Sequence, residues 1–109
     1  MPKILSKGQI VNTSSVMGSL SKDPGDEVLD DPCYRISKTA VNMYTKTLAS
    51  RLRKQGITVS SVHPGWVKTD MGGKDAPRKP EEAADKIFTL ATTPHKTGLF
   101  WYDNEKFPW

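Results

Sequence analysis

Ile57-Thr58-Val59-Ser60-Ser61-Val62, followed by His63-Pro64-Gly65, is a β-branched run closed by a Pro-Gly turn, and it reads as a strand that stops abruptly. Working back from it, Gly56 is a natural helix stop, and from Tyr34 to Lys54 the chain contains neither Pro nor Gly. Within that span Val41, Tyr44, Leu48 and Leu52 recur at three-to-four spacing beside a second set, Ile36, Ala40, Met43 and Thr47. The pattern predicts a long helix with two packing faces. Further back, Gly8-Gln9-Ile10-Val11-Asn12-Thr13-Ser14-Ser15 is another β-branched run, bounded by Gly8 and Gly18. It fits a buried parallel strand whose end delivers hydroxyls to a cleft. The order is therefore strand, helix, strand.

Forward of Gly65, residues 66–79 hold Gly72, Gly73 and Pro77 among mixed charges and read as a loop or lid over a site. Pro80-Glu81-Glu82 places proline and acids in a first helical turn, where the missing N–H costs nothing and negative charge suits the helix dipole. A helix to about Ala91 is expected, with Ala84, Ile87, Phe88 and Ala91 on its apolar face. Gly98-Leu99-Phe100-Trp101-Tyr102 is a third strand, its aromatics belonging to sheet and core, and Asp103-Asn104 starts a turn before Phe107-Pro108-Trp109. Residues 19–33, with Asp-Pro-Gly and Asp-Asp-Pro, form an acidic surface loop inserted between the first strand and the helix. Cys33 beside it is read as a small buried residue at a helix start. Alternating elements of this kind make residues 1–109 a single α/β domain with a parallel sheet of about three strands and flanking helices.

Composition excludes several classes. Hydrophobic residues are 36% and charged residues 26% of the 109, which suits a globular chain rather than a disordered tail. No apolar run is long enough to span a bilayer, so no membrane role is expected. Residues 1–7 lack a signal peptide's apolar core, which makes the cytoplasm the default compartment. One cysteine excludes an internal disulfide and a multi-cysteine metal site. A net charge of +4 raises nucleic acid as a partner, but the cations scatter without an aromatic platform, while Asp23, Asp26, Glu27, Asp30 and Asp31 cluster five of the twelve acids. Nucleic acid is therefore not expected.

Tyr34 and Lys38 lie four apart on the predicted helix, with Cβ atoms about 5–6 Å apart on one face. A tyrosine titrates near pH 10, about three units above neutrality, so it transfers protons poorly unless a nearby cation stabilises the phenolate. Lys38 supplies such a cation, and a hydroxyl from the strand end, Ser15 or Ser14, is placed to hold a substrate oxygen beside the phenol. Taken alone, a Tyr-x-x-x-Lys pair more often marks a packed tyrosine and a solvated lysine. His63 is read as a packed or hydrogen-bonded histidine.

Gly8 to Ser15, Tyr34-Arg35-Ile36-Ser37-Lys38-Thr39-Ala40-Val41-Asn42 and His63-Pro64-Gly65-Trp66-Val67-Lys68-Thr69-Asp70-Met71 together resemble, in order, successive motifs of the short-chain dehydrogenase/reductase family. The Pro-Gly-Trp-Val-Lys-Thr-Asp-Met run and the Phe-Pro-Trp end look most like its sniffer and C-factor type of carbonyl reductase. The resemblance implies an oxidoreductase that reduces carbonyls or oxidises alcohols with NAD or NADP. By it, Ser15 orients the substrate carbonyl, Tyr34 is the general acid, and Lys38 lowers the tyrosine pKa and binds the nicotinamide ribose. Ser14 is left as a structural hydroxyl bonded to the local backbone. Tyr34 and Lys38 are implied to bind the cofactor as well, and Pro64, Gly65, Val67 and Thr69 to hold the nicotinamide end, the Val67 backbone near the carboxamide and the Thr69 hydroxyl near carboxamide or phosphate.

The same resemblance implies a Rossmann-like doubly wound sheet, of which this sequence matches the carboxyl-terminal part and lacks the amino-terminal half. None of the eight glycines forms the glycine-rich turn that admits a pyrophosphate to a helix N-terminus. The first strand is then left with an open edge, and the helix with one uncovered face, both of which invite association. Expected partners are a small-molecule carbonyl or alcohol, together with a second copy or another chain of the family. An inactive fragment serving as an interaction or regulatory module is the alternative to an enzyme.

Overall fold

The structure, a computed structural model, describes residues 8–21 and 31–109. Strand β1 (Gln9–Thr13) leads through a 3₁₀ turn (Val16–Gly18) to helix α1 (Pro32–Leu52), which ends in a second 3₁₀ turn (Arg53–Gln55). Strand β2 (Thr58–His63), helix α2 (Pro80–Thr92), and strands β3 (Leu99–Tyr102) and β4 (Glu105–Phe107) follow. The sheet order is β1-β2-β3-β4, with β1, β2 and β3 parallel and β4 antiparallel to β3. The expected α/β layer is present, as a mixed sheet of four strands rather than a parallel one of about three. The extra strand arises because Asp103 and Asn104 both adopt left-handed backbone (φ 50° and 63°), giving the tight two-residue turn that folds Glu105–Phe107 back on β3.

The α1 helix begins two residues earlier than its periodicity predicts. Pro32 occupies the first turn, where its fixed φ suits a helix, so Pro32 and Cys33 belong to α1 and not to the acidic insert. Cys33 is exposed, contrary to its reading as a buried residue, because this first turn faces solvent. Residues 22–30 of the insert lie outside the described residues. Gly56 ends the helix as expected, with φ 72°.

Among the described residues, one face of α1 is packed. Its buried residues are Asn42, Thr45 and Ala49, flanked by half-buried Val41, Leu48 and Leu52. The second apolar set is uncovered, with Ile36 68% and Met43 62% exposed, and Tyr44 from the first set is 54% exposed. The packed stripe was hard to see because two of its central residues are polar. Ala49, Ile57 and Val59 form its apolar end, with Ile10, Leu48 and Leu52 against them. The α2 face is turned by one position from that expected: Ala83 and Leu90 are buried while Ala84 is exposed and Phe88 is 68% exposed. None of the described helices is long and apolar enough to cross a membrane.

Phe100 anchors the far side of the sheet. It is fully buried, lies edge-on to Phe107 at 5.3 Å between centroids, and stacks on Trp109 at 5.5 Å. Its replacement by alanine removes that contact and leaves a cavity, with an expected cost of about 3–5 kcal/mol. Phe88→Ala, on an exposed surface, is expected to cost under about 0.5 kcal/mol. Urea denaturation of the two variants checks the contrast, and equal losses would contradict this packing.

Candidate active site

In a parallel pair the two strands end at the same edge, and the β1–β2 register sets Thr13 opposite Val62. Ser14 N–H extends the ladder to the Val62 carbonyl at 2.8 Å, after which the first chain leaves the sheet and β2 follows one residue later, once His63 has paired with Tyr102. Ser14-Ser15 and His63-Pro64-Gly65 therefore emerge side by side. Because α1 must return the chain to the start of β2, it begins at this same edge, which brings its first turns, with Tyr34 and Lys38, to the strand ends. The result is a cleft of about 770 Å³ lined by Ser15, Tyr34, Lys38, Pro64, Gly65, Val67 and Thr69, together with Thr13, His63 and Trp66. All seven residues selected from sequence thus share one cavity.

Ser15 and Lys38 are each held by a definable contact. Ser15 is buried and caps the 3₁₀ turn, its Oγ accepting from Met17 N–H at 3.1 Å. That contact uses a lone pair and leaves the hydroxyl proton for another acceptor. Ser14 was expected to bond the local backbone; instead its hydroxyl donates across to the Lys38 carbonyl at 3.4 Å, and the local contact belongs to Ser15. Lys38 Nζ donates to the Thr13 carbonyl at 3.3 Å and sits 5.6 Å from the centre of the Tyr34 ring. Tyr34 is 38% exposed, at the mouth of the cleft.

Gly18 sets how closely the strand-end turn approaches α1. A Cβ there would lie 2.7 Å from the Lys38 carbonyl carbon, so a side chain at this position would push the two apart. Thr39 Oγ1 and Asn42 Nδ2 both donate to the Gly18 carbonyl, at 3.0 and 3.4 Å. The turn that presents Ser15 is in this way fastened to the helix that presents Lys38.

The 64–79 loop is pinned from behind by a residue that sequence reasoning missed. Arg78 Nη1 donates to the Pro64 carbonyl at 3.2 Å, and its guanidinium meets both carboxylate oxygens of Asp103, at 2.7 and 2.8 Å. It also lies 5.3 Å from the Tyr102 ring centre. Gly65, at φ 88°, accommodates this closeness, since a Cβ there would come within 3.1 Å of Arg78 Nε. Backbone bonds from Lys68 N–H to the Arg78 carbonyl and from Arg78 N–H to the Trp66 carbonyl close the loop's neck. Thr69 Oγ1 accepts from Gly72 N–H at 3.1 Å, and Trp66 Nε1 donates to the Gly72 carbonyl at 2.7 Å. No sequence spacing marks Arg78 and Asp103 as a pair, because one lies in a loop and the other in a distant hairpin turn.

Residues 1–80 match the family model for short chain dehydrogenase. This chain belongs to the short-chain dehydrogenase/reductase family. It is 32% identical over 104 residues to C-signal of Myxococcus xanthus, covering 93% of this chain and 61% of that protein. Carbonyl reductase [NADPH] 1 of Sus scrofa is 29% identical, over 94% of this chain and 41% of the relative. Among solved structures, carbonyl reductase Sniffer of D. melanogaster superposes with a TM-score of 0.78 at 36% identity, over 95% of this chain and 44% of that one. NADPH-bound carbonyl reductase from chicken fatty liver gives 0.78 at 33%, over 96% and 45%. The chain thus covers less than half of either structure, and less than two thirds of the C-signal relative.

The Arg78–Asp103 pair generates a pH prediction. The hydrogen bond from Arg78 holds the Asp103 carboxyl below its ordinary value of 3.8, partial burial opposing. A depressed carboxylate stabilises the folded state above its unfolded pKa and loses that contribution as pH falls through the lower folded value. Asp103→Asn should therefore cost up to about 1 kcal/mol at pH 7, given a partly solvated pair. The difference from the parent should shrink below about pH 4, as read by urea denaturation at both pH values.

Proposed function

We propose that this chain carries the proton-transfer site of an NAD(P)-dependent carbonyl reductase, working in either direction between carbonyl and alcohol, with Ser15, Tyr34 and Lys38 as its acting groups. The observation that supports it best is the convergence of these three side chains on one cleft from a strand end and a helix start. Ser15, with its hydroxyl proton uncommitted to Met17, donates to the substrate oxygen and fixes its position. Tyr34 gives its phenolic proton to that oxygen as the carbonyl is reduced, and takes it back in the reverse direction. Lys38, close to the Tyr34 ring, lowers the cost of the phenolate left behind.

The donor set suits the nicotinamide end of the cofactor. Among the described residues Lys38 Nζ makes one hydrogen bond, to the Thr13 carbonyl, and an ammonium has three donors, so two remain for ribose hydroxyls. Thr69 accepts from Gly72 and retains its own proton to give to a carboxamide or phosphate. Pro64, Gly65 and the Val67 backbone border the same space, with residues 66–79 as its lid. When bound there, NAD or NADP would supply or accept the hydride. None of the eight glycines forms a pyrophosphate cradle, so the groups named here are those for the nicotinamide end.

A second reading, an interaction module, is favoured by one feature. Among the described residues no strand pairs with the outer edge of β1, and the face of α1 bearing Ile36 and Met43 is uncovered. A second copy or another chain of the family would cover both.

Consumption of NADPH with a small carbonyl compound, measured beside sedimentation, separates the two. Turnover that falls at least about 100-fold in Tyr34→Phe, with the KM for NADPH little changed, supports the enzyme. Equal turnover in that variant would overturn the acid role. Sedimentation well above 12.1 kDa without NADPH consumption supports the module.

A further inference from the structure

His63 lines the cleft beside Ser15 and has no part in the reaction just described. Its Nδ1 accepts the backbone N–H of Val16 at 3.1 Å. Val16 directly follows Ser15 and is the first residue of the turn that Ser15 caps. A neutral imidazole has one donor and one acceptor nitrogen, so this bond fixes the proton on Nε2. The ring is itself held against Tyr102, 4.8 Å away between centroids, and lies 6.3 Å from Phe107.

We propose that His63 is a positioning residue for Ser15, holding the strand-end turn through Val16 while neutral and releasing it when protonated. The imidazolium has donors at both nitrogens, so Nδ1 would then face the Val16 N–H with a proton of its own. Burial sets the His63 pKa below its ordinary 6.5, and nearby Arg78 lowers it further, while Asp103 acts in the opposite sense. The groups facing the ring are thus Arg78 from the loop, Asp103 from the β3–β4 turn and Tyr102 from β3. For a depressed histidine the unfolded state binds the proton first. The contribution to stability is therefore complete above pH 6.5 and is lost as pH falls from there through the lower folded value.

This inference deepens the reading of Ser15 given above, and its test needs no turnover. Hydrogen exchange of the Val16 amide, normalised for the intrinsic pH dependence, is followed in the full chain from pH 7.5 down to pH 4, with the His63 ring shifts reporting its own titration. Protection should fall roughly fivefold to tenfold as the ring protonates. His63→Asn, whose Oδ1 can replace Nδ1 as acceptor, should keep Val16 protected and remove the pH step. His63→Leu should lower protection already at pH 7.5, with the β2–β3 amides serving as the control for folding. A Leu variant that protects Val16 as well as the parent overturns the positioning role. Unchanged protection in the parent across the ring titration overturns the release. Because the readout is an amide, a chain inactive at every pH bears on the proposed reaction, whereas Val16 alone decides the role of His63.

Discussion

The parallel pairing of β1 with β2 is the constraint from which the site follows. Once Thr13 lies opposite Val62, the two strands must finish at one edge, and the residues that continue them are juxtaposed whatever their identity. A parallel pair also needs a crossover, and a helix serving as one must start at the edge where the first strand ended. Strand-end hydroxyls, a Pro-Gly turn and the first turns of a helix are thus brought together by backbone geometry. Chemistry enters only in which side chains occupy those places. A shift of one residue in β1 would exchange the faces of its side chains and move Asn12 away from α1.

That register is held by polar contacts in the layer between α1 and the sheet. Thr45 is fully buried, and its hydroxyl donates to the Val41 carbonyl, accepts from Asn12 Nδ2 at 3.0 Å and lies 2.7 Å from Ser61 Oγ. With the Thr45 proton committed to Val41, Ser61 is the donor to Thr45. On the opposite face of β2, His95 Nδ1 donates to the Thr93 carbonyl, so its Nε2 accepts from Ser60 Oγ at 2.7 Å. Burying such groups is costly when they lack partners, yet each of these hydroxyls has one. Their directional bonds discriminate among alignments that apolar contacts at Ala49, Ile57 and Val59 would tolerate.

This arrangement explains what was legible in the sequence. Strands announced by β-branched runs, the helix stop at Gly56 and the turn at Asp103-Asn104 depend on local backbone preferences, and they lie where local rules place them. The cleft residues were legible for another reason: they follow strand ends and a helix start, which topology must unite. The packed face of α1 was not, because Asn42 and Thr45 carry it and a search for apolar periodicity passes over them. Nor was the Arg78–Asp103 clamp, whose partners meet only after the 64–79 loop and the β3–β4 turn are folded. The exposure of Cys33 likewise depends on where the first helical turn faces, which spacing does not report.

Ser15, Lys38 and Tyr34 are not fixed equally. Ser15 is buried, caps its own turn, and is tied through Val16 to His63 and through Gly18 to α1. Lys38 is bound to the end of β1, and the loop opposite is pinned by Arg78. Tyr34, by contrast, stands in the first turn of α1, where Asp31 adopts left-handed backbone and makes no side-chain cap bond. The Ser37 hydroxyl donates to the Tyr34 carbonyl at 2.7 Å, which steadies the backbone but not the phenol. In this fold Ser15 and Lys38 are secured by contacts at the strand ends, while Tyr34 is set at the solvent end of the helix, its ring centre 5.6 Å from the Lys38 ammonium. The site's geometry therefore depends least on the sheet at Tyr34.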